Sequence, residues 1–405
     1  MRLKRAKFLL LSVFILLTLF FSNNFGLIDV EKTSIITAIA IDFEQNEYIL
    51  TAQVAVPEAT DANTENQKAQ LSGKGKTVGE ALKDLGDTSG WFPKLAFCNL
   101  IILGNKLGNE NVIKLLDYFA KTLRVQDSAL VALAENTAKE ILSLSTPLDN
   151  ISSFAVQKIL LKTPQFGGDV APSDIKTFVS GYYSQNKSGY MPLIKVISAD
   201  NGSGDEGQKS DNSSSSGGMQ QNQKSQGANN ESNNLFDART TALFLDGKLV
   251  GELSPEQTLT FNAFNQSITG TNIPIDDVQI NGVPYNYLIT VMNDSHSIKV
   301  KATDTNVNLT FDLKLFCKVG DVFAVDSEDS LSSNTPLPKP LIEKTEKMLT
   351  DSIISLINKS VETGCDFFKI KEKLYRYNNS KYSQYKDDFL SKLKVKINVS
   401  VRGQR

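Results

Sequence analysis

The order of apolar and polar residues in the first half of the chain predicts a compact mixture of strands and helices. Residues 34–42 form a β-branched, apolar run and residues 48–56 alternate between apolar and polar, with Asn46 at a turn between them. This pattern is typical of a β-hairpin. Further predicted elements are helices at 77–85, 111–119 and 137–142, and strands at 96–103 and 128–134. Their order indicates an α/β (α+β) region with mixed strand directions.

The second half of the chain has the same mixture and one prominent helix. Asp246-Gly247 is a strong hairpin turn between the apolar runs 242–245 and 248–253, and Ser254-Pro255 favours the start of a helix. A long helix is predicted over 341–361, because its apolar residues fall on one face before Gly364 ends it. Those residues are Ile342, Leu349, Ile353, Leu356, Ile357 and Val361. The remaining predicted strands lie at 285–292, 296–303, 307–318 and 393–401, the last with its apolar residues inward.

A change of composition separates the two halves. Residues 199–234 are rich in Ser, Asn, Gln and Gly. Such a segment cannot bury enough apolar surface to offset the entropy of ordering it, so we expect a disordered linker or insertion rather than a recognition tail. The sequence therefore predicts folded regions at 29–198 and 235–405, with the linker between them.

The amino terminus is typical of an export signal. Four cations, Arg2, Lys4, Arg5 and Lys7, precede an apolar run over residues 8–21. No A-x-A-like cleavage site follows, and extension to Ile28 reaches the roughly 20 residues that span a bilayer. We therefore favour an uncleaved signal anchor at 1–28 over a cleaved signal peptide, with the remainder of the chain on the outer side of the membrane in either case. No lipid attachment is expected there, because the first cysteine is Cys98.

Composition argues against several classes of function. The 405 residues carry 43 Lys and Arg against 45 Asp and Glu, a formal net charge of −2, so the chain lacks the positive charge typical of nucleic-acid binding. A single histidine, His296, argues against metal clusters and histidine-based catalysis. Cys98, Cys317 and Cys365 are expected to be buried free thiols, with one disulfide left open as an alternative. We therefore predict a non-enzymatic protein without catalytic, cofactor, metal or lipidation residues.

Three segments carry chemistry that could suggest a site. Residues 73–77 read Gly-Lys-Gly-Lys-Thr, but Gln70 stands where a P-loop needs its first glycine. The capping-box spacing of Thr77 and Glu80 explains the segment without a phosphate. His296, between two serines, is expected to be solvated or hydrogen-bonded. Residues 369–377 mix lysine, arginine and tyrosine, and a solvated face is favoured there over nucleic-acid or lipid contact.

Several motifs, taken in order, resemble the Ger(x)C family of spore germination proteins, the C subunit of nutrient germinant receptors. No single motif is specific, but the ordered set covers residues 34–403. The motifs are T-x-I-x-I-D at 37–42, L-T-x-Q-V-x-x-P at 50–57, G-x-T-x-x-E-A-L at 75–82, I-I-x-G-x-x-L at 101–107, A-x-E-I-L at 138–142, F-x-x-x-K-L-V-G-x-L at 244–253, and Asp366-Phe367. Two departures are the missing lipobox cysteine after the apolar run, and Cys98 where family members often have a histidine.

The resemblance implies a function based on protein contact. It implies a chain of domains built from mixed β-sheets flanked by helices, at the outer face of the spore's inner membrane. It also implies two integral-membrane partners, one channel-like and one transporter-like that binds nutrient. No nucleic acid and no tightly bound small molecule is expected.

Two other functions remain as alternatives. The chain could be an extracytoplasmic protein that binds a small ligand of the cell envelope. It could also be an envelope hydrolase that uses carboxylates, although nothing in the sequence pairs two of them as acid and base. The receptor subunit is the preferred hypothesis.

Overall fold

The computed structural model describes residues 33–55, 69–122, 125–146, 149, 151–166, 168–198, 234–324 and 336–403, together with residues 7, 11–16 and 18. The predicted anchor at 1–28 lies largely outside these residues, and the predicted linker at 199–234 does so except for Asn234. In the part of the chain that is described, no helix is long and apolar enough to cross a membrane.

Nine strands of the described chain form a first, mixed β-sheet. It begins with a hairpin whose turn residues Gln45 and Asn46 both have positive φ, as a type I′ turn requires. The central pairs β1–β5, β5–β6 and β6–β7 are parallel, and both edges are antiparallel. The sheet order is β3-β2-β1-β5-β6-β7-β8-β9, with β4 paired to β1. The strands are β1 (Thr33–Glu44), β2 (Glu47–Ala55), β3 (Ala69–Gly75), β4 (Phe92–Lys94), β5 (Leu100–Leu103), β6 (Leu130–Ala134), β7 (Ser188–Ser198), β8 (Asn234–Leu245) and β9 (Lys248–Leu253).

Helices cover both faces of the first sheet, which is why its central strands are apolar at every position. One face packs against α1 (Val78–Ser89), α3 (Val112–Lys121) and α6 (Ile175–Tyr183). The other face packs against α4 (Ala138–Ser143) and α5 (Ser152–Phe166). A short helix, α2 (Asn105–Gly108), follows β5.

Four further described strands form a second sheet in the order β10-β11-β12-β13. Its antiparallel strands are β10 (Asn272–Ile280), β11 (Val283–Ala302) and β12 (Val307–Ala324), and β13 (Leu393–Gly403) pairs with β12 in parallel. The crossover between the last two contains α8 (Lys339–Thr363), α9 (Ile370–Tyr377) and α10 (Asn379–Tyr385). One face of this sheet packs against the long helix α8.

The helix α7 (Pro255–Asn265) lies between the two sheets and is buried on several sides. Phe261 contacts Tyr190 of the first sheet, at 5.0 Å between ring centroids, and Phe367 after the long helix, at 5.6 Å. Phe264 contacts Phe311 of the second sheet at 5.1 Å. Strands β8 and β9, assigned by sequence to the second region, complete the first sheet, so the two regions share one core.

The structure corrects several local predictions. Residues 96–99 form a turn rather than strand, because Cys98 N donates to the carbonyl of Leu95 at 2.9 Å. The strands predicted at 285–292 and 296–303 are one strand, β11, with bulges. Val361 is exposed although the rest of the predicted apolar face of α8 packs inward. Six elements of the first region were not predicted: β3, β4, α2, α5, α6 and β7.

Candidate functional site

Three of the motifs quoted from the sequence meet at one end of the first sheet. Asp42 ends the first motif, and its carboxylate accepts hydrogen bonds from Ala138 N at 2.8 Å and Lys139 N at 2.9 Å, at the start of α4. Gly104 packs against it so closely that a Cβ there would lie 2.1 Å from Asp42 Oδ1. Burial raises the pKa of Asp42, and the two backbone donors oppose that effect. The motif acid is therefore a helix cap held in place by a glycine.

A pocket of about 300 Å³, lined mainly by polar residues, opens beside this cap, where the parallel strands β1, β5 and β6 end. Its other charged side chains are in ion pairs: Lys106 Nζ lies 3.4 Å from Glu44 Oε1, and Lys195 Nζ, from outside the pocket, lies 3.3 Å from Glu135 Oε1. Asn105 crosses the pocket and donates to the carbonyl of Glu135 at 2.7 Å. The edge at the carboxyl ends of parallel strands is where open α/β sheets bind ligands.

Asp366 is a second buried cap, just before α9. Its carboxylate accepts from Ile370 N at 2.9 Å and Lys371 N at 2.7 Å, at the start of α9. Burial raises the pKa of Asp366 to about 6, against the lowering effect of those donors. Its own N–H donates to Ser188 Oγ of β7 at 3.0 Å, so this residue also links the second region to the first sheet.

The second sheet has one face that no helix of the described chain covers. We call this the open face; it consists of the outward side chains of β11, β12 and β13. Seven of these are exposed cations and two are carboxylates, Asp312 and Asp321, so the face is strongly basic although the chain carries a net charge of −2. The cations are Lys299, Lys301, Lys314, Lys318, Lys394, Lys396 and Arg402.

One of the two carboxylates on the open face is already satisfied. Asp312 accepts from Lys299 Nζ at 2.7 Å, Asn398 Nδ2 at 2.7 Å and Ser297 Oγ at 3.1 Å. Its hydrogen bonds from Lys299 and Asn398 lower its pKa to about 2. Among the described residues the other six cations have no salt-bridge partner, so the face can attract an anionic surface.

The structure explains the Gly-Lys-Gly-Lys-Thr segment by packing. A Cβ on Gly73 would lie 2.2 Å from Ala81 O, and one on Gly75 would lie 2.5 Å from Ala81 N, so both glycines let α1 lie close to β3. Thr77 caps that helix by accepting from Glu80 N at 3.1 Å. These contacts support the structural interpretation of the segment.

The lone histidine and the three cysteines have structural surroundings. His296 Nδ1 lies 3.5 Å from Asp294 Oδ2, and that carboxylate also accepts from Ile268 N and Ser267 Oγ. All three cysteines are buried and free, which confirms that prediction. Burial raises the pKa of Cys98 and Cys365 to about 12 and of Cys317 to about 11, so none is a reactive thiolate.

The basic and aromatic segment 369–377 forms α9 and packs by its apolar residues. Ile370 and Leu374 are buried, whereas Arg376 pairs with Glu372 one turn away. Tyr375 packs edge-on against Tyr382, at 5.2 Å between ring centroids. Within the described residues no group of three His, Cys, Asp or Glu side chains could hold a metal ion.

Comparison with known proteins identifies relatives of both halves of the chain. Residues 27–196 match the family model described as the spore germination protein N-terminal domain. Residues 239–405 match the model described as spore germination B3/GerAC like, C-terminal. A search of curated proteins found no match.

A solved structure, the crystal structure of the GerBC protein, has the same fold. The TM-score is 0.50 at 17% sequence identity, over 91% of this chain and 97% of that chain. The mixed sheets and flanking helices predicted from sequence are therefore confirmed, both by the described strands and by this likeness.

Proposed function

The chain belongs to the Ger(x)C (GerAC-like) family of spore germination proteins, and from that membership we propose that it is a non-enzymatic subunit of a nutrient germinant receptor. It works by contact with integral-membrane receptor subunits, one channel-like and one transporter-like. Residues 1–28 anchor it, and the folded regions 29–198 and 235–405 lie on the outer side of the spore's inner membrane.

The observation that carries the mode of action is the open face. A sheet that buries one side under α8 and leaves seven cations on the other is only half covered. Positive surfaces of this kind steer and orient association with a negative partner surface. The buried acids support a non-enzymatic role, because Asp42 and Asp366 are both engaged in capping backbone N–H groups. We assign the open face to the contact with a partner subunit.

Deletion and complementation in a spore-former test this function. Spores that lack the gene, in a strain without a duplicate receptor, should no longer germinate with nutrients, and the intact gene should restore germination. The double variant Lys314→Glu, Lys396→Glu should fail to restore it, whereas Lys83→Glu on the exposed surface of α1 should succeed. Normal germination of the deletion strain with every nutrient would contradict the proposal.

The pocket beside Asp42 supports a second candidate, an extracytoplasmic small-ligand-binding protein. Its volume of about 300 Å³ lies at the lower end of the range for small-molecule sites, and seven of its eight lining residues are polar or charged. A ligand at a concentration 100-fold above Kd should stabilise the protein by about 2.7 kcal/mol. Thermal unfolding of the protein with pools of nutrients measures this, and an unchanged melting temperature in every pool would remove the candidate.

A further inference from the structure

One end of the first sheet exposes large apolar side chains at the start of β1. Trp91, Phe92 and Phe97 are 46%, 53% and 55% exposed, and Ile35 is 41% exposed. We call these four side chains the aromatic edge. The pairing of β4 with β1 places Phe92 opposite Thr33 and Lys94 opposite Ile35, so the edge lies beside the first residue of the sheet.

The aromatic edge is held by buried neighbours rather than carried on a loose loop. Leu95 is 5% exposed and Cys98 is fully buried within the same short segment. Cys98 N donates to Leu95 O at 2.9 Å, and Ser34 Oγ donates to the carbonyl of Phe92 at 3.4 Å. The backbone therefore fixes three aromatic rings outward, where water contact is unfavourable for them.

The position of this edge relative to the amino-terminal apolar run suggests what covers it. Residues 22–32 separate that run from Thr33. Whatever path they take, eleven residues span at most about 40 Å. If the whole predicted anchor 1–28 is held in a membrane, only residues 29–32 remain between it and Thr33, a reach of about 15 Å, so the start of β1 and the aromatic edge lie near that membrane.

The residue types of the aromatic edge suit contact with a membrane surface. Tryptophan and phenylalanine bury their rings at the boundary between headgroups and acyl chains, and a neighbouring lysine meets anionic headgroups. Lys94 is exposed between the aromatic residues. We propose that the aromatic edge docks onto the phospholipid bilayer surface, and this proposal rests on the membrane anchoring of the proposed function.

The single tryptophan of the chain is a direct probe of this contact. The full chain is reconstituted into vesicles of phosphatidylcholine and phosphatidylglycerol, either plain or with brominated acyl chains that quench nearby indoles. Trp91 emission should be lower in the brominated vesicles than in the plain ones. The matched control is Trp91→Phe with Tyr377→Trp, because Tyr377 is 77% exposed on α9 in the second region; its emission should be equal in both vesicles.

A second variant tests whether the four side chains act as one surface. Phe92→Ser with Phe97→Ser changes two exposed positions, so the fold should persist by circular dichroism, and Trp91 quenching should be lost. Flotation with the vesicles measures anchoring separately. A chain that does not float contradicts anchoring, and with it this proposal. A chain that floats with unquenched Trp91, or a double variant with undiminished quenching, overturns the docking of the aromatic edge alone.

Discussion

The two sheets of this protein differ in how many of their faces are covered. In the first sheet the adjacent residues Ile101 and Ile102 point to opposite faces, and both are fully buried in separate cores. In the second sheet the adjacent residues Leu315 and Phe316 also point to opposite faces, but Leu315 is 2% exposed and Phe316 is 39% exposed. In the described chain, one face of the second sheet is therefore not covered by helices, and that face is basic.

The largest predicted effect is on the free energy of unfolding, and it is tested at these four positions. Substitution of Ile101, Ile102 or Leu315 by asparagine removes a buried aliphatic side chain and buries an amide, and should cost about 3–5 kcal/mol of the free energy of unfolding. Phe316→Asn should cost only about 1–2 kcal/mol, because that side chain is already 39% exposed. Urea unfolding of the four variants measures the differences.

The control for this comparison is the mild variant itself. Phe316→Asn should keep the wild-type circular dichroism and the wild-type m-value. A loss as large as that of Leu315→Asn would show that the open face is covered in the folded protein, and the contrast between the sheets would be wrong.

The next effect concerns Asp366, which links the second region to the first sheet. Because burial raises its folded pKa to about 6 from the usual 3.8, the native state binds more protons than the unfolded state between those values. This group therefore makes the protein more stable as the pH falls from about 6 to about 4. The pKa difference corresponds to roughly 3 kcal/mol, and Asp366→Asn should abolish this pH-dependent gain.

Chemical unfolding at several pH values between 4 and 7 measures that gain. Asp312→Asn is the matched control, since hydrogen bonds lower the pKa of Asp312 to about 2. Its contribution to stability is lost only as the pH falls below about 4, so this variant should keep the wild-type slope above that value. If Asp366→Asn kept the wild-type change of the free energy of unfolding with pH, another group would be responsible for that change.

The third effect is on association rather than stability. Reversing two charges on the open face, Lys314→Glu with Lys396→Glu, should raise the Kd for detergent-solubilised partner subunits about tenfold and weaken its dependence on salt. The free energy of unfolding should change by less than about 0.5 kcal/mol, because both side chains are exposed. Co-purification at increasing salt gives the first quantity, and Lys83→Glu serves as the control with unchanged Kd. Equal binding of the double variant would remove the open face from the contact.

Local signals made the hairpins β1–β2 and β8–β9 and the long helix α8 predictable. Asp246-Gly247 is recognisable because the apolar runs 242–245 and 248–253 flank it directly, whereas the same signal at Asn281-Gly282 has no such runs beside it. There the preceding strand is interrupted by Asp276 and Asp277, where a bulge shifts the register. The sheet order could not be predicted, because the pairing of β1 with β5 joins residues about 60 positions apart and leaves no periodic trace in the sequence.

The candidate surfaces were only partly visible in the sequence. The spacing of the last strand predicts its inward apolar residues, and the basic residues that alternate with them, Lys394, Lys396 and Arg402, lie on the outward side. The capping role of Asp42 could not be predicted, because its partners lie on a distant helix. The role of Asp366 could not be predicted, because it depends on a buried turn. Trp91 and Phe97 were missed, since exposure of a single aromatic residue depends on the whole sheet around it.

The smallest predicted effect concerns the helices that cover the first sheet and that the second sheet lacks on its open face. The helix α1 covers one face of the first sheet, and among the described side chains Thr77 alone caps it, with Oγ1 3.1 Å from Glu80 N. Thr77→Ala should therefore cost about 1 kcal/mol. Thr137 caps α4 on the other face at 3.4 Å from Glu140 N, but Asp42 accepts from two further N–H groups of that helix. Thr137→Ala should therefore cost less than Thr77→Ala in thermal unfolding, and both serine variants should remain near wild type because they keep the oxygen. Equal losses would indicate that Asp42 does not share the cap, and that the two helix layers are held in the same way.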